Sequence, residues 1–453
     1  GLGMLGIVAM LKLFLRAYCM GAGTYTGIEA VSNGLQIMRE PKVETAKKTM
    51  TLMAISLAAT AGGITLCYLL VHATPDPKGQ QTMNAVLTLR FNELIGLHGS
   101  AGLWFFRLTM FAEAALLFVA AQAGFIDGPR VMANMASDSW LPHRFAQLSD
   151  RLTMQYGVLL ISLASILTLL YTRGDTSTLV LMYSINVFLT FSLSESGMVR
   201  YWLRHRRKYP DWKRHIVIHV VGLALCLTIL VMNVAVKFTE GGWITLAVTS
   251  ALIALCFVIR RHYGDVQNSL KRLDTILGDL PTTHDPQEKP LDPAQPTAVM
   301  LVGGYGGLGI HTMLTVQRLF PGHFKNWIFV SVGVIDSATF KGQEEVDEVR
   351  SRTEKALKRY VSLARSLGLT AEYRMDIGTE AVTVAQGICA AIASEFPRAI
   401  FFAGKLVFER ERWYQRILHN ETAYALQRRL QLAGMNAMVL PVRVMEETTA
   451  RAA

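Results

Sequence analysis

The chain has 453 residues, 51% hydrophobic and 17% charged, with a mean hydropathy of +0.30. That balance excludes an ordinary soluble protein of this length and places the chain in the membrane class. The formal charge of +11 does not point to nucleic acid, because the basic residues fall mainly beside hydrophobic segments, where they set topology and meet anionic headgroups. Cys19, Cys67, Cys226, Cys256 and Cys389 are scattered without a CxxC or Cys/His cluster, so neither a disulfide framework nor a zinc site is supported. The opening GLGMLGIVAMLKLFLRAYCM lacks a signal-peptide layout and starts at Gly, which reads as a chain that begins partway through a larger protein.

In chain order, apolar windows of about 20 residues give seven expected spans, near 10–37, 49–73, 103–126, 155–172, 177–203, 215–236 and 242–260. The fourth and fifth are separated only by TRGD, the signature of a helical hairpin. Alternate connections hold the basic residues: Arg39, Lys42, Lys47 and Lys48, then Arg130, Arg144 and Arg151, then RYWLRHRRKYPDWKR, then Arg260 and Arg261. The positive-inside rule makes these loops cytoplasmic, and the C-terminal region with them. Residues 1–262 thus read as the membrane domain and 263–296 as a polar linker ending in PTTHDPQEKPLDPAQP. In residues 297–453 five apolar strand candidates (TAVMLVGG, NWIFVSVGV, TAEYRM, RAIFFAG, AMVLPVRV) alternate with helical segments at 308–319, 344–367, 380–395 and 411–433. That alternation predicts a cytoplasmic, doubly wound α/β domain.

The first span carries the strongest chemical signal. Its TYTGIEAVSNG segment, residues 24–34, puts Glu29 at bilayer depth, which costs several kcal/mol and makes it a functional-site candidate; the competing reading seats it near a helix end, reaching headgroup water. Gly21, Gly23 and Gly27 weaken the helix there, and Thr24 and Thr26 compete for freed backbone groups, so a broken helix is expected. Exposed carbonyls at that depth become ligands for a cation or polar substrate. Thr26 and Glu29 are three apart and share a helical face, offering a hydroxyl and a carboxylate oxygen to one hard cation. Tyr25 and Asn33, four residues either side of Glu29, are second-tier candidates. The glycines alone also fit close helix packing.

Elsewhere, Glu113 in FAEAALLF is a candidate proton-coupling carboxylate, with a structural hydrogen bond or pairing with a missing N-terminal helix as the competing reading. Glu195 in SLSESG is followed by Arg200 toward the basic end of its span and reads as interfacial; Arg16 and Arg107 read as snorkelling outward. In the C-terminal domain GGYGGLGIHT follows a strand and opens a helix, and its Gly304, Gly306 and Gly309 match the GxGxxG pattern that seats a phosphate at a helix N-terminus. The acidic residue of a dinucleotide site is displaced: Asp336 stands 27 residues past Gly309. A tight turn without a ligand fits the same glycines.

GTYTGIEAVSNGLQIMREPKVETAKKTM resembles the sixth transmembrane helix and following loop of the amino acid–polyamine–organocation (APC) superfamily. LLFVAAQAGFIDGPRVMANMASDSWLPHRFAQLSDRLTMQYG is similar to its eighth helix and the loop to the ninth. The order TGIE, then LMYSINVFLTFSLSESGMVRYW, then an α/β tail resembles the KimA-type potassium–proton symporters. The resemblance implies the second part of a LeuT-like APC fold, helices six to twelve, with helices one to five absent and with them part of the site. It further implies potassium coordinated by Thr26 and Glu29, and Tyr183 of the tenth helix beside the ion path. The tail resembles the universal stress protein fold. Its AGKLVFERERWYQR after the fourth strand departs from the G-x-x-G signature of the ATP-binding members, which leaves ATP binding unsupported; the resemblance to the KimA-type transporters implies a cyclic dinucleotide as regulatory ligand and a homodimer through the cytoplasmic domain.

No acid, base and nucleophile set is legible in the tail, which therefore reads as a regulatory or dimerisation domain; with the first span and the resemblance, the chain reads as a transporter and not an enzyme, a multi-pass plasma-membrane protein importing potassium with protons. Two alternatives accompany that reading. One keeps the fold and carries an amino acid or organic cation with protons; the other is a membrane-tethered nucleotide-binding sensor.

Overall fold

The computed structural model describes residues 6–21, 28–76, 81–149, 151–238, 242–276, 289–336, 343–407 and 422–443. The chain divides into two compact units, residues 1–127 with 161–254, and residues 128–160 with 255–453.

In the first unit the expected opening span is represented by helices α1 (Ile7–Gly21) and α2 (Ile28–Asn33), the latter running into a 3-10 turn over Gly34–Ile37. The residues between α1 and α2, where the break is expected, lie outside the described ones. Six described helices are long and apolar enough to cross a bilayer: α3 (Lys42–Leu70), α5 (Gly99–Ser137), α6 (Gln155–Thr172), α7 (Thr176–Arg204), α8 (Trp212–Lys237) and α9 (Trp243–Ile276). Their apolar side chains stay largely uncovered, as in Leu52 at 68% and Leu170 at 68% exposed, which suits a surrounding hydrocarbon solvent. Helices α7 and α8 pack together, and Phe188 and Ile229 form a small core with Cys19 of α1.

Short-range chemistry sets the connections. Between α6 and α7 only three residues intervene: Gly174, at φ +77°, takes the left-handed position that stops a helix, and Asp175 Oδ2 accepts from the Thr178 amide at 3.0 Å. Helix α4 (Met83–Leu94), at 12 residues too short to cross a bilayer, starts where Thr82 Oγ1 accepts from the Ala85 amide at 3.2 Å. Helix α9 continues to Ile276, so residues 263–276, expected as the start of a linker, are helical.

The second unit holds a five-stranded parallel sheet of β1 (Thr297–Leu301), β2 (Asn326–Val334), β3 (Thr370–Gly378), β4 (Ala399–Val407) and β5 (Ala437–Arg443), in the order β3-β2-β1-β4-β5. The chain reverses its direction of winding between β1 and β4. Among the described residues four helices cover it: α10 (Gly307–Leu319), α11 (Gln343–Ser366), α12 (Ala381–Glu395) and α13 (Thr422–Leu432). Alternation along the strands sends neighbours to opposite faces. Met300 and Phe402 join Met313 of α10 and Leu357 of α11 in one core, while Val299 and Phe401 join Ile392 of α12 and Leu430 of α13 in the other. With both faces covered, β1 and β2 are almost continuously apolar, as buried parallel strands require. Residues 411–421, expected in the last helix, lie outside the described ones.

Candidate functional site

Four polar places in the molecule bear on function. The first is the α1–α2 region. Tyr25 and Thr26 lie outside the described residues, as does the side chain of Glu29, whose backbone forms the first turn of α2. Asn33 is exposed at the end of α2. Tyr183, on α7, is 47% exposed, while its neighbours Ser184 and Ile185 are buried.

The second is a hydrogen-bonded chain joining three helices. Tyr68 of α3 donates its hydroxyl to Asn84 Oδ1 at 2.6 Å, and Asn84 Nδ2 of α4 donates to Glu113 Oε1 of α5 at 2.9 Å. Asn84 thereby fixes its own amide orientation, and Glu113 Oε1 serves as acceptor. The chain ties the part-buried carboxylate to a helix absent from the hydropathy profile.

A third place was not expected. Glu195, read from the sequence as interfacial, lies about 14 Å before the end of α7 by helical rise, is partly buried, and meets His219 of α8 with Oε2 2.7 Å from Nδ1. Gly222, one turn along α8, leaves room for the carboxylate: a Cβ there would be 3.4 Å from Glu195 Cδ. The legible signal is symmetry about the basic loop. Glu195 stands nine residues before Arg204 and His219 seven after Trp212, which on antiparallel helices is similar depth.

The glycine turn is the fourth. Sheet order puts it at the carboxyl end of β1, beside the reversal between β1 and β4, where open α/β sheets bind ligands. Its underside is filled by Tyr360 of α11. The Tyr360 hydroxyl accepts from the Gly306 amide at 3.2 Å and lies 3.0 Å from the Gly304 carbonyl, to which it donates. A Cβ on Gly309 would sit 2.1 Å from that hydroxyl, so Gly309 is needed for the approach of α11, whereas Gly304 has open space. Tyr305 on the turn carries the Arg359 guanidinium 3.9 Å over its ring. On the opposite face, Cys389 is fully buried and its thiol is pushed up to about 12 by desolvation. Among the described residues no three His, Cys, Asp or Glu side chains converge as a metal cluster.

Comparison with known proteins gives this geometry its context. The Bacillus subtilis (strain 168) potassium transporter KimA is 27% identical over 264 residues, 58% of this chain. The aligned part spans 41% of that relative's length. The family model described as "Amino acid permease" matches residues 8–260, more than half of the chain and all six described membrane-competent helices through Arg260. On that match, the chain belongs to the amino acid permease family of the APC superfamily.

Proposed function

We propose that the chain is part of a secondary transporter that imports potassium together with protons, around a site near the bilayer midplane that includes Thr26, Glu29 and Tyr183. The observation that carries this reading is the carboxylate of the first apolar stretch: Glu29 belongs to a six-residue helix that follows α1 within one expected span of a permease. A carboxylate there holds either a cation or a proton, which is what exchange between the two demands. The similar relative is a potassium transporter by name, which supports the choice of cargo. The α/β domain is the regulatory part in this proposal, with Gly304, Gly306 and Gly309 as the seat of a cyclic dinucleotide and with a homodimer formed through the domain.

Rubidium uptake by the complete protein tests the site. Glu29→Gln abolishes or uncouples uptake if the reading is correct; wild-type uptake in that variant overturns it. The second reading, an amino acid or organic cation as cargo, is favoured by the description of the matching family. Competition by a panel of amino acids in the same assay separates the two, since inhibition by one of them replaces potassium with that class of substrate.

A further inference from the structure

The second unit contains a basic cavity that the transport reading does not use. The loop between α5 and α6 lies against the sheet domain there, where Gln147 pairs with Asp336, just beyond β2, in an isolated antiparallel bridge. Ser149 and Thr153 close the following turn, with their hydroxyls 2.8 Å apart. Beside this bridge opens a cavity of about 530 Å³, walled by the loop, the start of α6, the turn into α12, and α13. Its charged lining is Arg144, Arg428 and Arg429 against Glu380, three positive groups and one negative.

The single acid leaves the lining with an excess of positive charge and makes no direct ion pair with the bases. Arg429 Nη1 donates to Thr383 Oγ1 at 2.9 Å, and that hydroxyl donates to Glu380 Oε2 at 2.9 Å, so a neutral group stands between the arginine and the carboxylate. Among the described residues none of the three arginines is in an ion pair. Helix α12 starts at the cavity, and Glu380 at its N-cap makes no side-chain capping bond, which leaves the first-turn amides without that partner. Guanidinium forks and free helix amides are the donors that phosphate oxygens take best. The volume suits a molecule and exceeds a bare ion.

The position of α6 selects the source of the phosphate. Its 18 residues rise about 27 Å, close to one hydrocarbon thickness, so Gln155 and Tyr156 at its start stand at headgroup level. Both line the cavity. Just beyond them Leu159 and Leu160 are exposed on the same helix, an apolar surface for the start of an acyl chain. We propose that this cavity holds the phosphate of an anionic phospholipid, gripped by Arg144, Arg428 and Arg429, with its tails running along α6. A soluble phosphate shares the headgroup's chemistry, and the test distinguishes the two.

The test uses the full chain in phosphatidylcholine nanodiscs with increasing phosphatidylglycerol, reading retained lipid by native mass spectrometry and thermal unfolding in parallel. The wild type should retain phosphatidylglycerol saturably and unfold at higher temperature as it does so. The Arg428→Gln/Arg429→Gln double variant should bind at least about tenfold more weakly, and the Arg428→Lys/Arg429→Lys variant should keep part of the binding. Removing the same charge elsewhere, as Arg206→Gln/Arg207→Gln, should leave it unchanged. Equal losses in the two Gln variants, or none in Arg428→Gln/Arg429→Gln, overturn the proposal. Inorganic phosphate in lipid-neutral discs is the second arm: arginine-dependent stabilisation matching that by phosphatidylglycerol overturns the lipid as the source.

Discussion

In the α/β domain Phe402 has no exposed surface, whereas Phe118 of α5 keeps 68% of its surface uncovered. Both residues sit in strongly apolar stretches, and both are where their surroundings require. The sheet domain hides its apolar groups from water inside two cores, one on each face. The membrane helices turn theirs outward, because lipid tails are as apolar as a leucine side chain and supply no drive to bury them. Beside the small Cys19–Phe188–Ile229 core, those helices also draw polar groups partly out of reach of the surroundings: the Tyr68–Asn84–Glu113 chain and the Glu195–His219 pair. In one region nearly all large apolar groups are hidden, and in the other only a few are, with hydrogen-bonded polar groups beside them.

The largest expected effect comes from exchanging side chains across that contrast. Phe402→Ala should destabilise the α/β domain by about 3–5 kcal/mol, the loss of burial plus the cavity left behind. Phe118→Ala should change stability by only about 0.5 kcal/mol, since the ring is uncovered already. Hydrogen exchange of peptides from β1, β4 and α5 across a urea series measures both, and similar losses would erase the distinction.

A smaller effect probes a polar group inside the sheet domain. Tyr360→Phe should cost about 1–3 kcal/mol, because the Gly306 amide and Gly304 carbonyl lose a shared buried partner. Gly309→Ala should also destabilise, by crowding the same hydroxyl. Combining the two should recover part of the loss, since removal of the oxygen makes room for the methyl group. Thermal melts of the four proteins give the coupling, and strictly additive losses would show that the contact is not shared.

The smallest effect lies at the water-facing surface. Hydrogen bonds from Lys358, at 2.7 Å, and from Tyr373, at 3.0 Å, hold the Glu354 carboxyl below its ordinary range. A lowered folded-state pKa gives stabilisation that is present above the ordinary glutamate value of about 4.3 and lost as pH falls through the folded value. Acid titration of the melting temperature should therefore show a slightly steeper decline in the wild type than in Lys358→Ala, with the two converging at the acid end. Parallel curves would remove the pair from the stability balance.

The strands of the α/β domain were legible because each is a short apolar run bounded by turn residues, as in NWIFVSVGV, and the structure places a strand on each of the five. The long spans were legible for a similar reason, hydropathy being a property of composition. Helix α4 was not, because MNAVLTLRFNEL mixes polar and apolar residues and is held by a threonine cap and a side-chain network. Residues 263–276 were missed in the opposite direction: polarity suggested a linker, but a helix already nucleated in the membrane propagates at little cost. At the candidate site, Glu113 was legible as a polar intruder, yet its partner Asn84 was not, since nothing in the spacing joins residues 29 apart. Glu195 is legible as a polar residue of its span, but its partner is not, since the histidine that holds it lies on the next helix.

One contact between helices carries a mechanical consequence. Pro129 lies inside α5, and a Cβ on Gly157 of α6 would come within 2.8 Å of the Pro129 Cβ. Proline contributes no amide hydrogen, so α5 is one hydrogen bond short at this level. The two helices therefore meet backbone against ring, with no side chain from α6 as a washer between them. Such a contact leaves no room for even one added carbon along the line joining the axes. A methyl group at position 157 would act as a shim and force the axes apart at this one level.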